Sequence, residues 1–223
     1  MRAGKLTYLS RTEHLLYVQY GCGFTAPEEW VNFDASLTLR FERIPVLGSA
    51  YTKNSQRFPA SVRYGNIVHG LPMGDESCRG IYASHVLEHL ALADFHKALE
   101  NTRRILVKGG IFRLVVPDLE WAAREYLARA EAGDPKASHF FLQETCLGED
   151  RRDGSVSGAA HRLLNTSKHL WMWDAASMQS ALAEHGFTAI RRCTFGDCED
   201  HMFRLVEEAG RFEHAVAMEA RRA

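Results

Sequence analysis

Apolar and polar positions along the chain switch repeatedly between strand-like runs and helix-like stripes. Leu15 to Tyr20 is a short apolar run of strand type, stopped by Gly21-Cys22-Gly23. Trp30 to Phe33 is a second, ending at Asp34, and a polar, irregular stretch follows from Gly48 to Arg63. Gly80 to Ala83 is a further strand candidate that runs into a helix from about Val86. Asp94 is placed to cap the next helix, whose Phe95, Ala98, Leu99, Ile105 and Leu106 form one stripe, with Gly109-Gly110 as its stop. Ile111 to Val116 is nearly continuous in apolar character, as in a strand covered on both faces. Asp118 then caps a helix with Ala123, Tyr126, Leu127 and Ala130 on one side, stopped by Gly133-Asp134-Pro135.

From Lys136 to Trp173 the rhythm breaks. A helix around Ser138–Leu147 gives way to a charged Gly/Ser-rich stretch, Gly148 to Gly158, which reads as an insertion or lid. A last helix spans Asp174 to His185. Phe187 to Phe195 follows as a strand, and Ala215 to Ala220 as a terminal one. Strands alternating with helices imply parallel pairing and an α/β layer fold. The pattern predicts one domain over residues 1–223, of about seven strands, with the insertion at about 136–173.

Composition narrows the class. Of 223 residues, 46% are hydrophobic and 25% charged, the balance of a globular chain. Lys+Arg is 27 against Asp+Glu 28, so no long-range field gathers DNA or anionic lipid. No apolar run approaches the ~18 residues of a membrane span, and Met1 to His14 lack the apolar centre of a secretory leader. Five scattered cysteines, an odd number without C-x-x-C spacing, argue against a disulfide framework and for a reducing, cytoplasmic setting.

Gly21-Cys22-Gly23-Phe24-Thr25-Ala26 fits G-x-G-x-x-A, a variant of the dinucleotide fingerprint. A dinucleotide fold wants its ribose-binding acid about 20 residues on, beyond a full helix. Here Asp34 comes 11 residues after Gly23, and Phe24–Glu29, with Pro27 among them, leave hardly any room for a helix to hold a pyrophosphate. A cofactor without phosphates would not need one. The plain alternative is a tight turn with Asp34 as a cap.

The chain resembles class I S-adenosylmethionine-dependent methyltransferases. The resemblance rests on Leu16 to Gly23, Val31 to Asp34, Tyr64 to Ile67, Leu71 to Ser77, Tyr82 to Leu90 and Lys108-Gly109-Gly110 before Ile111 to Pro117, in family order, with a weaker echo from His169 to Phe195. The compact glycine-turn form is similar to a bacterial subgroup associated with sugars or cell-surface polymers. The resemblance implies a three-layer Rossmann-like fold, a mostly parallel seven-stranded sheet with a terminal antiparallel strand from about Ala215. It implies S-adenosyl-L-methionine as cofactor, bound at Gly21, Cys22, Gly23, Asp34, Asn66, Ile67, Ser84 and His85. Asp34 would bond the ribose hydroxyls, Asn66 the adenine amine and the Ile67 N–H a ring nitrogen. Gln19 stands where members commonly carry an acid. The expected reaction is methyl transfer to a small-molecule or glycan acceptor, at oxygen; the alternative is a degenerate, non-catalytic S-adenosylmethionine-binding protein.

His85 and His169 are the expected catalytic residues, because a neutral imidazole suits deprotonation of a hydroxyl. His169 directly precedes the Trp171–Asp174 junction, whereas His161 sits in the looser insertion. Trp171 and Trp173 read as core or lid packing, Asp118 as a cap, Cys22 as a small filler, and Arg151-Arg152 and Arg191-Arg192 as solvated faces. His85, Glu88 and His89 also spell H-x-x-E-H, an inverted zinc-protease motif. Surrounded by the methyltransferase blocks, Glu88 and His89 read as pins for a helix. No metal is expected, and activity should survive chelation.

Overall fold

The computed structural model describes residues 15–44, 56–148 and 168–223. The Gly148–Gly158 stretch beyond Gly148 itself, Arg151-Arg152 and His161 lie outside them. The strands are β1 (Leu16–Tyr20), β2 (Val31–Asp34), β3 (Arg63–Tyr64), β4 (Cys78–Ser84), β5 (Leu106–Pro117), β6 (Phe187–Arg192) and β7 (Ala215–Arg222). They form one sheet in the order β3-β2-β1-β4-β5-β7-β6. Pairing is parallel from β3 through β5, and β7 runs antiparallel to both β5 and β6. This is the expected sheet, with Leu16–Tyr20 and Ile111–Val116 two strands apart in it and the antiparallel strand starting at Ala215. No helix among the described residues is long and apolar enough to cross a membrane.

The helices are α1 (Leu37–Glu42), α2 (Leu92–Ile105), α3 (Leu119–Glu131), α4 (Ala137–Glu144) and α5 (Ala175–Glu184). Period-2 alternation sorts each strand between two faces. Val18, Tyr20, Ile81, Ala83, Phe112, Leu114, Val116, Val216 and Met218 pack with Phe95, Ala98 and Leu99 of α2 and Met178 and Leu182 of α5. Trp173 closes this core against Phe95, ring centroids 4.1 Å apart, so its role is packing.

The opposite face is polar along its centre. Asn32, Gln19, Tyr82, Arg113, Glu219 and Arg191 are successive cross-strand partners, one on each of β2, β1, β4, β5, β7 and β6. Gln19 Nε2 donates to Asn32 Oδ1 at 2.6 Å. Arg113, fully buried, donates to Glu207, to Glu219 at 2.9 Å and to the Thr194 carbonyl at 2.7 Å, and meets Asp197 at 2.9 Å. Arg191 bonds the other Glu219 oxygen at 2.8 Å. Arg191-Arg192 are therefore not merely solvated: Arg191 closes this network, and Arg192 stands 3.6 Å from Asp118.

The β1–β2 connection carries no helix. Parallel strands are ordinarily joined through a dozen or more residues, usually helical. Trp30 fills part of the place such a helix would cover: its ring lies 5.3 Å from Tyr17 and 5.4 Å from Phe203 of the 3-10 turn His201–Leu205, and its Nε1 donates to the Met202 carbonyl.

Three local expectations are corrected. The residues after β4 form a 3-10 turn, Leu87–His89, rather than a helix from Val86. Asp94 lies in the first turn of α2, whose N-cap is Ala91. Gly109-Gly110 do not end α2, which stops at Ile105; they sit in β5, where Val107–Gly110 bulge opposite Arg79 and Gly109 takes φ +74°. The Asp118 cap is as expected, its Oδ1 accepting from Glu120 N at 2.9 Å.

Asp174 caps α5 in a reciprocal box with Ser177. The Ser177 N–H and hydroxyl hold its carboxyl below the usual carboxylate range. Its contribution is then complete above the unfolded-state pKa and lost as pH falls through the lower folded value. Asp174→Ala should cost about 1 kcal/mol near neutrality. The penalty should vanish in strong acid, as urea unfolding of both proteins at a series of pH values would show.

Candidate functional site

The strand order reverses between β1 and β4, and in open α/β sheets ligands bind in the crevice outside the strand ends at such a point. β1 ends there in the glycine turn. Gly21 has φ +67°, and a Cβ on it would lie 2.1 Å from Val86 Cγ2, so the turn is pressed against the loop after β4. The Gly23 N–H donates to Asp34 Oδ2 at 3.1 Å, and the Ser36 N–H to Asp34 Oδ1 at 2.7 Å. Each carboxylate oxygen thus takes one backbone donor and keeps acceptor capacity. The Gln19 amide nitrogen makes two bonds: besides Asn32 it donates to the Thr25 carbonyl at 2.7 Å, tying the turn together. Cys22 is buried beside it. Burial, and secondarily Asp34, push its thiol up to about 12, which disfavours the thiolate.

The Gly65 N–H donates to the Asp34 carbonyl at 3.1 Å, which brings the next expected residues alongside. Asn66 caps the 3-10 turn Ile67–His69, its Oδ1 accepting from Val68 N at 2.9 Å. Asn101 of α2 donates to the Ile67 carbonyl at 2.8 Å and fixes that turn.

Ser84 and His85 stand at the C-terminal end of β4. The Ser84 and Tyr82 hydroxyls are buried with no hydrogen-bond partner, although they neighbour one another. They border a slot of about 20 Å³ shared with Gly21, Cys22 and Thr25. Glu208 and Arg211 cross its mouth: Thr25 donates to Glu208, and His85 Nε2 lies 3.0 Å from the Arg211 carbonyl.

His85 is a non-glycine residue at φ +53°, a sparsely populated conformation that costs of order 1–3 kcal/mol and that neighbours must hold. Its N–H donates to the Val115 carbonyl, extending the β4–β5 ladder, and its Nδ1 faces Glu88 Oε1 at 3.4 Å. Burial works against its charge, but Glu88 and the Arg211 carbonyl outweigh burial, and the His85 pKa is raised. His169 differs. Burial depresses its pKa despite the nearby Glu88 carboxylate, and its Nδ1 is buried without a partner. The His89 and His169 rings meet edge to face at 5.0 Å.

His169 is held in place by backbone. The Leu170 and Trp171 N–H groups both donate to the Glu88 carbonyl, at 2.7 and 3.1 Å, and His89 Nδ1 lies 2.9 Å from the Lys168 carbonyl. The expected residues thus fall into two adjoining groups. Gly21, Cys22, Gly23, Asp34, Asn66 and Ile67 line the ends of β1, β2 and β3, and Ser84, His85 and His169 gather at the end of β4. Glu208 and Arg211 were not anticipated, because they lie between β6 and β7 in a stretch with no motif or periodicity to single them out.

The family described as "Methyltransferase domain" matches residues 24–191, more than half of the chain. No curated protein matches the sequence. Among solved structures, a SAM-dependent methyltransferase from Thermotoga maritima is similar at 16% identity and a TM-score of 0.50, over 93% of this chain and 82% of that one. A SAM-dependent methyltransferase from Archaeoglobus fulgidus is similar at 12% identity and a TM-score of 0.50, over 92% and 85%. Such identities speak to the fold alone. Together with the family match and the sheet order, they lead to one conclusion: the chain belongs to the methyltransferase domain family and has the fold of class I S-adenosylmethionine-dependent methyltransferases.

Proposed function

We propose that the protein transfers a methyl group from S-adenosyl-L-methionine to a small-molecule or glycan acceptor, at oxygen. The observation that carries this reading is the juxtaposition at the switch point: a glycine turn bonded to Asp34 on one side, and a strained His85 beside Glu88 on the other. Asp34 would accept from the ribose hydroxyls, with Asn66 and the Ile67 N–H at the adenine and Gly21, Cys22 and Gly23 along the amino-acid portion. The sulfonium carries its own leaving group, so the protein has chiefly to place the acceptor oxygen about 3–3.5 Å from the methyl carbon, in line with the sulfur. Ser84 and His85 border that space. The two catalytic imidazoles have pKa values moved in opposite directions, a pattern suited to divided acid and base roles. His85 would orient the acceptor by exchanging the Arg211 carbonyl for it at Nε2, while the His169 Nδ1 lone pair would receive the acceptor's proton.

Calorimetry with S-adenosylmethionine and its demethylated product tests the cofactor half. Asp34→Ala should weaken binding by about 2–3 kcal/mol, about 30- to 150-fold, because ribose hydroxyls lose their acceptors and the Gly23 and Ser36 N–H groups lose theirs. An unchanged dissociation constant would make Asp34 a cap and nothing more. A second reading, a non-catalytic cofactor-binding protein, draws on the small slot and the Glu208–Arg211 crossing above it. Transfer of labelled methyl from the donor in a metabolite screen separates the two.

A further inference from the structure

We propose that Glu88, His89 and His169 form a binding site for one divalent transition-metal ion. Glu88 Oε, His89 and His169 ring nitrogens lie within 4.8 Å of one another. Modest side-chain rotations would bring them to the roughly 2.0–2.2 Å bonds that zinc makes with imidazole and carboxylate. Two imidazoles and one carboxylate are the donor set of a zinc-like ion, and not of calcium or magnesium, which take oxygen ligands.

Two features point to a ligand and not to a packed cluster. Glu88 is fully buried, and neither carboxylate oxygen has a hydrogen-bond partner: His85 Nδ1 and His89 Nε2 approach Oε1 only to 3.4 and 3.8 Å, so the carboxylate keeps lone pairs that a closer cation would satisfy. His169 Nδ1 is likewise buried and unpartnered. The outer contacts match a metal-ligating histidine, whose second nitrogen is ordinarily held by a carbonyl or carboxylate. His89 places Nδ1 on the Lys168 carbonyl at 2.9 Å, leaving Nε2 toward Glu88, and the Thr145 carbonyl is within reach of the His169 ring.

Backbone holds the three residues together. Both Leu170 and Trp171 N–H groups hold the His169 segment to the Glu88 carbonyl. Three protein ligands leave a tetrahedral ion one open position. His85 shares the Glu88 carboxylate, so the site adjoins the proposed acceptor space. With an ion bound, the His169 lone pair is committed to it, and His85 is left as the proton-handling imidazole. This revises the expectation that Glu88 and His89 merely pin a helix. The motif read from sequence, H-x-x-E-H, pointed to His85 as the third member; the chain fold supplies His169 instead.

The test is a titration of chelator-stripped protein with Co²⁺, followed by ligand-field absorption, without any methyl donor present. The proposal expects saturation at one equivalent and displacement by Zn²⁺. Glu88→Gln, His89→Ala and His169→Ala should each weaken binding at least about 100-fold, the upper range for losing even an outer contact. Glu88→Gln keeps shape and removes a buried charge, so its metal-free form should melt no lower than the parent, which separates lost ligation from lost folding. Zn²⁺ should raise the melting temperature of the parent and leave that of Glu88→Gln unmoved. Absence of saturable binding in the parent, or parental affinity in Glu88→Gln and His169→Ala, would overturn the site. Donor binding is measured separately by calorimetry, so failure of the metal site leaves the cofactor half of the methyltransferase reading standing, whereas saturable binding removes His169 as the base and leaves that role to His85.

Discussion

Arg113→Met is expected to lower the free energy of unfolding by about 3–5 kcal/mol, the range for breaking a buried ion pair from one side. The guanidinium is fully buried and engages Glu207, Glu219 and Asp197 together with the Thr194 carbonyl. Asp197 reaches solvent and would rehydrate. Glu207 does not, and its carboxylate would be left charged in a dry place or be forced to take up a proton. For a chain of this length the loss corresponds to a fall in melting temperature on the order of 10 °C. Arg113→Met combined with Glu207→Gln should recover a large part of it, because the damage comes mainly from the stranded charge. Urea unfolding of the parent, the single and the double variant would decide. A loss below about 1 kcal/mol in the single variant, the scale of an exposed pair, would mean that water reaches the network.

Gly21→Ala carries the second large effect, and it acts on the site as well as on stability. A left-handed conformation costs a non-glycine residue about 1–2 kcal/mol, and overpacking adds about 1–3 kcal/mol. The new methyl group would stand 2.1 Å from Val86 Cγ2, and Val86 lies between His85 and the Leu87–His89 turn. Relief of the clash must push that loop away, moving His85 off the Val115 carbonyl that fixes it. Cofactor affinity and turnover should therefore fall together. Val86→Ala in the same chain should restore the packing part of the loss and leave the conformational part. A double-mutant cycle showing no coupling between the two positions would refute the contact.

The strand ends and the glycine turn were legible because their signals are local. A short apolar run closed by Gly21-Cys22-Gly23, and Asp34 too soon for a dinucleotide fold, depend only on neighbours in sequence. The same holds for the cap at Asp118. The Asp94 and Gly109-Gly110 readings failed for a related reason. Both residue types punctuate helices, yet here α2 begins before Asp94 without a side-chain cap, and the two glycines serve a bulge in β5. Arg113 was passed over inside an apolar run because its partners lie 94 and 106 residues away. The pairing of His169 with Glu88 and His89 was hidden similarly, since it depends on two main-chain hydrogen bonds to the Glu88 carbonyl and on the Lys168 carbonyl meeting the His89 ring, and main chain carries no sequence signature.

The row of polar partners across the sheet bears on the order in which the chain can fold. Arg113 belongs to β5, but its counter-charges at Glu207 and Glu219 come 94 and 106 residues later in the chain. Until they arrive, the centre of β5 cannot be covered on that face without enclosing a lone cation. The first five strands are thus prevented from settling early into a finished half-domain. A nascent chain ending before Glu207 should remain open to solvent and to proteases at β5, and completion should wait for β7 to insert between β5 and β6. Such long-range closure is slow by its nature, since loop entropy must be overcome before the contact is gained. Pairing of β7 with β5 is therefore the step that commits the whole sheet.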